Sequence, residues 1–486
     1  MGQFTITFQP GGVQVTVPEG TTLLRAQIQA GLGPDAPCGG RGSCGKCRVT
    51  LQDGREVLAC QTPVEGDQVV YLGRSRTAQI LTGARAAAGF RPDGTSRYAL
   101  AFDVGTTTLA AYLLDGQTGA QLAGASCLNP QSQYGADVIS RIQLALDGEG
   151  ETLRRCVGEA LVSLTEELAE KAGVAMEDIT TAAVVGNTAM HHLLLGLDPR
   201  PLVTPPYMPG VREALELPGE TLLPIHGTLR TLPNIAGFVG GDTVGCLVAT
   251  RFDRLEELSL LIDIGTNGEM VLGDRRRRIA CSTAAGPAFE GAKISCGMRG
   301  VAGAVDHVTW RDGGMSWHVI GEGPAEGLCG SGLLDLTAAL LEEGVIDETG
   351  RLEGGAYRLC PGVTLTQKDV REVQLAKGAI RAGIELLAEA LGADVEDIQT
   401  VYLAGAFGNY LTPASACRVG MIPPVLEGRV VPIGNPAGEG AKLCALSREE
   451  FAYSQRLAAA TELLELAALP AFQDRFIGAL GFSEDM

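Results

Sequence analysis

Nowhere does an uncharged apolar run approach the roughly 18 residues that a membrane-crossing helix requires, and the opening residues carry no signal-peptide core. The expected setting is the cytoplasm. Positive charge is also scarce: 38 Lys and Arg face 57 Asp and Glu, for a net charge of −19. That balance argues against a general nucleic-acid or anionic-membrane binder. A chelating histidine pair is missing as well, because His191 and His192 are adjacent and face different sides of a helix, which makes at least one of them structural. What is abundant is glycine, 66 of 486 residues, about twice the usual share. Because the glycines punctuate apolar runs, they point to close-approach loops rather than disorder. A chain of this length exceeds one core, so two to four domains are expected.

Thirteen cysteines in a reducing compartment are thiols or metal ligands rather than disulfides. Four of them, Cys38, Cys44, Cys47 and Cys60, follow the spacing C-x5-C-x2-C-x12-C, with four glycines between the first and third. Four thiolates on a glycine-rich loop suit an iron–sulfur cluster, since backbone N–H groups can then turn toward the sulfurs. Structural zinc is the alternative, but a zinc ribbon brings two C-x-x-C knuckles and this stretch has one. Around the loop, Phe4, Ile6 and Phe8 alternate, turn at Pro10-Gly11-Gly12, and alternate again through Val13, Val15 and Val17. Thr21 or Thr22 can cap a short helix ending near Gly31, and Val49 to Leu58 reads as a hairpin turning at Asp53-Gly54. Residues 1–73 thus form a small β-rich unit that ligates one centre through Cys38, Cys44, Cys47 and Cys60. Residues 74–98, basic and alanine-rich, read as a linker.

From Tyr98 onward, strands alternate with helices. Two loops echo each other: Asp103-Val104-Gly105-Thr106-Thr107-Thr108 and Asp263-Ile264-Gly265-Thr266-Asn267-Gly268-Glu269. Each closes an apolar strand and offers backbone N–H groups and hydroxyls to a phosphate. Asp103 and Asp263 would be repelled by phosphate, so each is expected to hold a hydrated Mg²⁺ or to orient a water. Two copies imply two similar half-domains facing a nucleotide, residues 99–255 and 256–486. Asp242, at a helix start, reads equally as a cap or as another carboxylate near the phosphates. Gly330 and Ser331 open a helix and offer a further backbone anion site. After the strand Val401–Leu403, Gly405, Ala406 and Gly408 would let an adenine ring lie on the backbone. The small-residue run Cys281 to Gly291 reads as a functional surface loop. Its Ser282, Thr283 and Glu290 are candidates either for partner contact or for lining the cleft. Arg275 to Arg278 reads as a solvated hairpin tip, Lys377 to Ala390 as a helix, and the tail from Ser447 as an amphipathic helix with Leu463, Leu464, Leu466 and Leu469 in the core.

These motifs carry a resemblance. Residues 1–73 resemble plant-type and succinate-dehydrogenase-type [2Fe–2S] ferredoxins, departing from their usual x4 first gap by one residue. The two Asp-Gly-Thr loops and the late strand–Gly loop resemble, in order, the phosphate-1, phosphate-2 and adenosine motifs of the ASKHA superfamily of sugar and acetate kinases, heat-shock chaperone ATPases and actin. The whole chain resembles the reductive activators of corrinoid enzymes, although it is shorter than the larger members. The fold class implied is a multidomain α+β and α/β chain: a β-grasp ferredoxin domain followed by a two-lobed ASKHA ATPase. The cofactors implied are a [2Fe–2S] cluster, ATP and Mg²⁺. The activity implied is ATP-driven electron transfer from the cluster to the Co(II) corrinoid of a partner, restoring Co(I). Its partners would be a corrinoid protein or methyltransferase and an upstream low-potential electron donor, and a homodimer is compatible with the class. Asp103, Asp242 and Asp263 are the candidates to orient the attacking water. An activator of a 2-hydroxyacyl-CoA dehydratase and a metabolite kinase are the alternatives. The first family holds a [4Fe–4S] cluster between two subunits, and the second has no use for a ferredoxin domain.

Overall fold

The computed structural model describes residues 2–72 and 90–482, except 33, 35, 37–39, 41, 43, 44, 136, 312 and 322 and the side chains of 406 and 409. In the first unit, β1 (Gln3–Gln9) and β2 (Val13–Pro18) pair as the expected hairpin. With β3 (Arg48–Leu51), β4 (Glu56–Leu58) and β5 (Gln68–Leu72) they make a sheet of order β2-β1-β5-β3-β4, in which β1 and β5 run parallel. Thr22 caps the helix Leu23–Gln29, its hydroxyl accepting from Arg25 N at 3.3 Å. That helix places Leu23, Leu24 and Ala26 on Ile6, Phe8 and Val70, all buried. Each large apolar side chain so covered contributes roughly 1.5–3 kcal/mol, enough to hold a small unit whose loop is rich in glycine.

The remainder contains the same sheet twice. β6 (Tyr98–Val104), β7 (Thr108–Asp115) and β8 (Gln121–Leu128) form an antiparallel meander. β9 (Ile179–Gly186) adds parallel beside β6, then β11 (Thr228–Thr231) parallel beside β9, with β10 (Leu215–Pro218) at the edge. In the second copy β12 (Ser259–Ile264), β13 (Gly268–Gly273) and β14 (Arg278–Thr283) are the meander. Between the meander and its parallel strands the chain inserts a three-stranded sheet, β15 (Ala304–Arg311), β16 (Gly314–Val319) and β17 (Gly327–Leu328), and the hairpin β18 (Ala356–Cys360) with β19 (Val363–Thr366). β20 (Thr400–Ala404) then lies parallel beside β12, β21 (Val430–Pro432) beside β20, and β22 (Glu462–Leu463) beside β14. Parallel strands covered on both faces carry continuous apolar runs, as Ala182–Val185 of β9 and Leu260–Ile262 of β12 do.

Helices Gly241–Thr250 and Pro436–Leu446 fill the space between the two sheets. Their Val244, Leu247, Ala437 and Ala441 share one core with Ala99 and Ala101 of the first sheet and Leu261 and Val271 of the second. They meet backbone to backbone: a Cβ added to Gly440 would fall 2.1 Å from the Gly245 carbonyl oxygen. Small residues at this crossing keep the lobes close.

Several expectations need correction. The helix expected from Lys377 begins at Gln367, under a capping box of Thr366 and Asp369, and runs to Leu391. The tail helix ends at Ala459; Leu463 then lies exposed in β22 while Leu466 is buried. Arg278 is not solvated. It is buried against the Thr461 hydroxyl at 3.1 Å, because β22 closes that edge of the sheet. Of the basic linker, residues 74–89 lie outside the described residues, as does residue 73 before it. The stretch after them is docked: Asp93 N donates to Leu446 O at 3.0 Å, Arg448 N donates to Asp93 Oδ2 at 2.6 Å, and Arg97 pairs with Asp178 at 2.8 Å.

Candidate functional site

A cavity of about 620 Å³ opens between the two meanders, lined at its floor by Asp103, Asp242, Asp263 and Glu269. The β6–β7 turn supplies Gly105, Thr106 and Thr107, and the β12–β13 turn supplies Gly265, Thr266 and Asn267. In the first turn Gly105 N donates to Thr108 O at 2.9 Å, and an added Cβ would sit 2.8 Å from that same oxygen, so glycine is required. In the second, Gly265 N donates to Asn267 O at 2.9 Å. Gly268 lies behind the second turn as the first residue of β13, outside the cavity wall.

Burial pushes the Asp103 carboxyl up to about 6, against the pull of the Asn435 amide, which donates to Asp103 Oδ2 at 2.8 Å. Asp242 and Asp263 are pushed up to about 7, first by burial and then by repulsion from neighbouring carboxylates. Glu269 is raised further, by burial and then by Asp242 and Asp263. Among the described residues lining the cavity, the basic side chains are Arg299 and His318, from the segment and hairpin beyond the second turn. Carboxylates gathered without a cation among them repel one another, and a divalent cation would relieve that cost. Oxygen donors are the kind Mg²⁺ takes, but among the described residues no three such side chains stand close enough together to hold an ion directly, which leaves contact through water. Asp242 is not the cap of its helix: Gly240 takes that position, and Asp242 turns into the cavity while accepting from Thr243 N at 2.7 Å.

Gly330 and Ser331 open the helix Gly330–Glu342 with Cys329 as its cap, and all three residues face the cavity. Gly405 begins the short helix Gly405–Tyr410 at φ +86°, where an added Cβ would fall 2.7 Å from Asp263 Oδ1. The glycine therefore seats the late loop directly on the floor carboxylate. Gly408 faces away, toward the Leu403 backbone, and its place in the wall is taken by Phe407, which stacks on Phe289 at 4.8 Å. The Ala406 side chain lies outside the described residues.

The run Cys281 to Gly291 divides. Ser282 and Thr283 are not in a surface loop: they belong to β14, where Ser282 is the register partner of Glu269, and Thr283 is 2% exposed and donates to Gly268 O at 3.2 Å. Pairing with β13 consumes this stretch, so the small polar residues serve the sheet. Glu290 behaves differently. Its Oε2 accepts from Thr107 at 2.8 Å and its Oε1 from Thr266 at 3.0 Å, so one carboxylate ties the two turns together across the cavity.

Two further residues escaped sequence reasoning. Arg141, wholly buried, donates through Nη2 to Thr106 O at 2.6 Å and through Nε to Gly135 O at 2.9 Å; burial pushes it down to about 10. The one sign of it was an arginine beside Ile142 on an apolar helix face. Asn435 caps the helix Pro436–Leu446 while reaching Asp103, and the Asn-Pro pair was its only signal. Both adjacent histidines are structural: His191 bonds Thr231 and Asn234, and His192 bonds Thr188 O and accepts from Gly210 N.

In the first unit Cys47, just before β3, and Cys60, in the turn just after β4, are both buried, with Ala59 N donating to Cys47 O at 2.8 Å. Cys38 and Cys44 lie outside the described residues. Gly40, Gly42 and Gly45 take φ of +85°, +77° and +67°, the left-handed conformations a tight ligand loop needs. Gln61 Nε2 lies 3.6 Å from Cys60 Sγ, a donor of the kind that stabilises a cluster thiolate. These features fit an iron–sulfur group. The nine cysteines beyond residue 60 form no disulfide. Among the described residues no helix is long and apolar enough to cross a membrane.

Fold and cleft together define a ferredoxin unit joined to a two-lobed nucleotide-binding unit of the ASKHA type. Family models agree: residues 6–69 match the 2Fe-2S iron-sulfur cluster binding domain, 98–255 the RACo middle region and 257–486 the C-terminal, ASKHA domain of RACo. The chain is 32% identical to the corrinoid activation enzyme RamQ of Eubacterium limosum, over 97% of this chain and 98% of that one. It is 29% identical to the [Co(II) methylated amine-specific corrinoid protein] reductase of Methanosarcina barkeri, over 76% and 72%. A solved structure of a reductive activator for corrinoid, iron-sulfur protein superposes with a TM-score of 0.75 at 27% identity, covering 98% of each chain. This chain belongs to the family of ATP-dependent reductive activators of corrinoid proteins.

Proposed function

We propose that the protein returns an inactive Co(II) corrinoid in a partner protein to Co(I), using one electron from its ferredoxin unit and the binding and hydrolysis of ATP in its cleft. The observation that carries this reading is the junction of the two units: Lys46, between two of the four spaced cysteines, donates to the Gly297 carbonyl of the second lobe. Residues 1–73 act as the electron-carrying unit, 99–255 and 256–486 as the lobes, and the intervening stretch as their connection.

A [2Fe–2S] cluster held by Cys38, Cys44, Cys47 and Cys60 supplies single electrons. Asp103, Asp242 and Asp263 hold Mg²⁺, through water, on the floor of the cleft. Gly105, Thr106, Thr107, Gly265, Thr266 and Asn267 face the phosphates with backbone N–H groups and hydroxyls, and Gly330 and Ser331 add a helix start. Gly405 and Phe407 lie toward the nucleoside. One of the floor carboxylates orients the attacking water. Reduction of the cobalt is uphill from most such clusters, and a nucleotide offsets it only by binding two conformations of the protein unequally.

The deciding experiment gives the reconstituted protein a low-potential reductant and a Co(II) corrinoid protein, with and without ATP. Loss of the Co(II) absorption band and EPR signal only with ATP is expected. An iron–sulfur corrinoid protein, an O-demethylase corrinoid protein and methionine synthase are the partners to compare. Phosphorylation of a small metabolite with no cobalt reduction would overturn the reading in favour of a kinase.

A further inference from the structure

Glu290 sits where it should not if the hydroxyls of Thr107 and Thr266 serve only a nucleotide. Its two carboxylate oxygens take both hydroxyl donors, at 2.8 and 3.0 Å. An anionic phosphate entering between the turns competes for the same donors and repels the same carboxylate. Binding therefore requires Glu290 to yield.

What moves with Glu290 follows from the next residues. Gly291, at φ +75°, lies directly on the far end of its own loop: a Cβ there would fall 2.6 Å from Met298 N, and a Cβ on Gly297 would fall 2.5 Å from Gly291 O. No compressible side chain separates the two glycines. The loop is closed further by Met298 N donating to Leu328 O at 2.8 Å and Leu328 N donating to Cys296 O at 2.9 Å. Gly297 then offers its carbonyl to the Lys46 ammonium, and Lys46 precedes the buried Cys47. A continuous backbone path of a few residues joins the phosphate-facing hydroxyls to the cluster loop.

We propose that Glu290 and Lys46 are positioning residues that couple nucleotide occupancy to the cluster. Glu290 clamps both lobes when phosphate is absent, and its displacement carries Gly297, and with it the Lys46 ammonium, relative to the cluster loop. A cation moved beside a cluster thiolate changes the potential of the centre. The inference rests on the ATP reading of the cleft and adds the route by which ATP is felt.

The test uses the full chain with its iron–sulfur centre reconstituted, AMP-PNP with Mg²⁺ as the probe, and two readouts: nucleotide Kd, and the midpoint potential and EPR spectrum of the reduced centre. In the wild type, AMP-PNP should shift potential and spectrum. Lys46→Met should bind AMP-PNP with unchanged Kd and full iron content yet show no shift. Glu290→Gln, lacking the charge that phosphate must displace, should bind at least about threefold tighter, with a nucleotide-free spectrum already close to the bound one. A shift that survives in Lys46→Met, or a wild-type centre indifferent to bound AMP-PNP, would overturn the coupling alone. Failure of the wild type to bind AMP-PNP would instead defeat the nucleotide reading itself.

Discussion

The β6–β7 and β12–β13 turns, which line the cavity from opposite lobes, look alike in sequence and are held differently. Around the first, Arg141 fixes the Thr106 carbonyl at 2.6 Å, Asn129 donates to Gly105 O at 2.8 Å and through its backbone to Thr107 O at 2.9 Å, and Asn187 donates to Thr106 Oγ1 at 2.8 Å. Those partners come from three separate segments of the first lobe, with Arg141 and Asn129 buried and Asn187 half-buried in the cavity wall. The second turn is held by its internal Gly265–Asn267 bond, the Thr266 hydroxyl on Glu290, the Asn267 side chain on Glu269 and, at its far end, the Thr283 hydroxyl on Gly268 O, all from its own lobe and none, among the described residues, from a buried arginine. The first turn is thus fixed from several elements of its lobe, whereas the second leans on Glu290, the carboxylate proposed above to yield to phosphate. Symmetry of topology does not bring symmetry of rigidity.

The largest expected effect tests the shared floor. Asp263→Ala should lower ATP hydrolysis by roughly 10²-fold or more if, as proposed, its carboxylate positions metal or water. A loss under about threefold in a folded variant, measured as steady-state phosphate release, would assign Asp263 to structure.

Next, Arg141→Met should destabilise the protein by roughly 3 kcal/mol, because it strands the Thr106 and Gly135 carbonyls in the core. Thr266→Val should cost under about 1 kcal/mol. Chemical denaturation of both variants measures the contrast, and equal losses would dissolve it.

A narrower effect, confined to one pH range, concerns the floor carboxylate. Asp263, pushed up to about 7 by burial and then by Asp242 and Asp103, holds its proton in the folded state where the unfolded chain, near 3.8, has lost it. The folded state then binds more protons between those values, so stability falls as pH rises through that window. Without divalent cations, Asp263→Asn should melt above the wild type at pH 8, by an amount on the order of 1–3 kcal/mol in stability. The difference should shrink toward pH 5, and Mg²⁺ should raise the wild-type melting temperature more at pH 8 than at pH 5. A pH-independent gap would show that the carboxylate is not strained by burial.

Local chemistry was readable from the chain and long-range chemistry was not. The cysteine spacing and the two Asp-Gly-Thr turns announce themselves because backbone geometry, glycine and ligand sit within a few consecutive residues. Glu290 is legible as a candidate for lining the cleft, which it does, but its bond to Thr107 spans 183 positions and nothing local marks that partner. Asn435 and Asp103 lie 332 positions apart. Thr283 and Ser282 misled for the opposite reason: small polar residues look like a loop until a partner strand is placed beside them. Leu463 and Leu466 have the same composition signal, and only the edge position of β22 decides which one is covered.

The nine cysteines beyond the ferredoxin unit have a consequence for how the protein is assembled. Burial pushes Cys127 and Cys156 up to about 11 and Cys417 up to about 12, and it raises the remaining six as well. At neutral pH a thiol near 11 is ionised to on the order of one part in 10⁴, against a few per cent for an ordinary exposed cysteine. Thiolate is what captures iron and what oxidants attack. Burial thus keeps these nine sulfurs protonated, and as thiols they are poor competitors for iron and poor targets for oxidants.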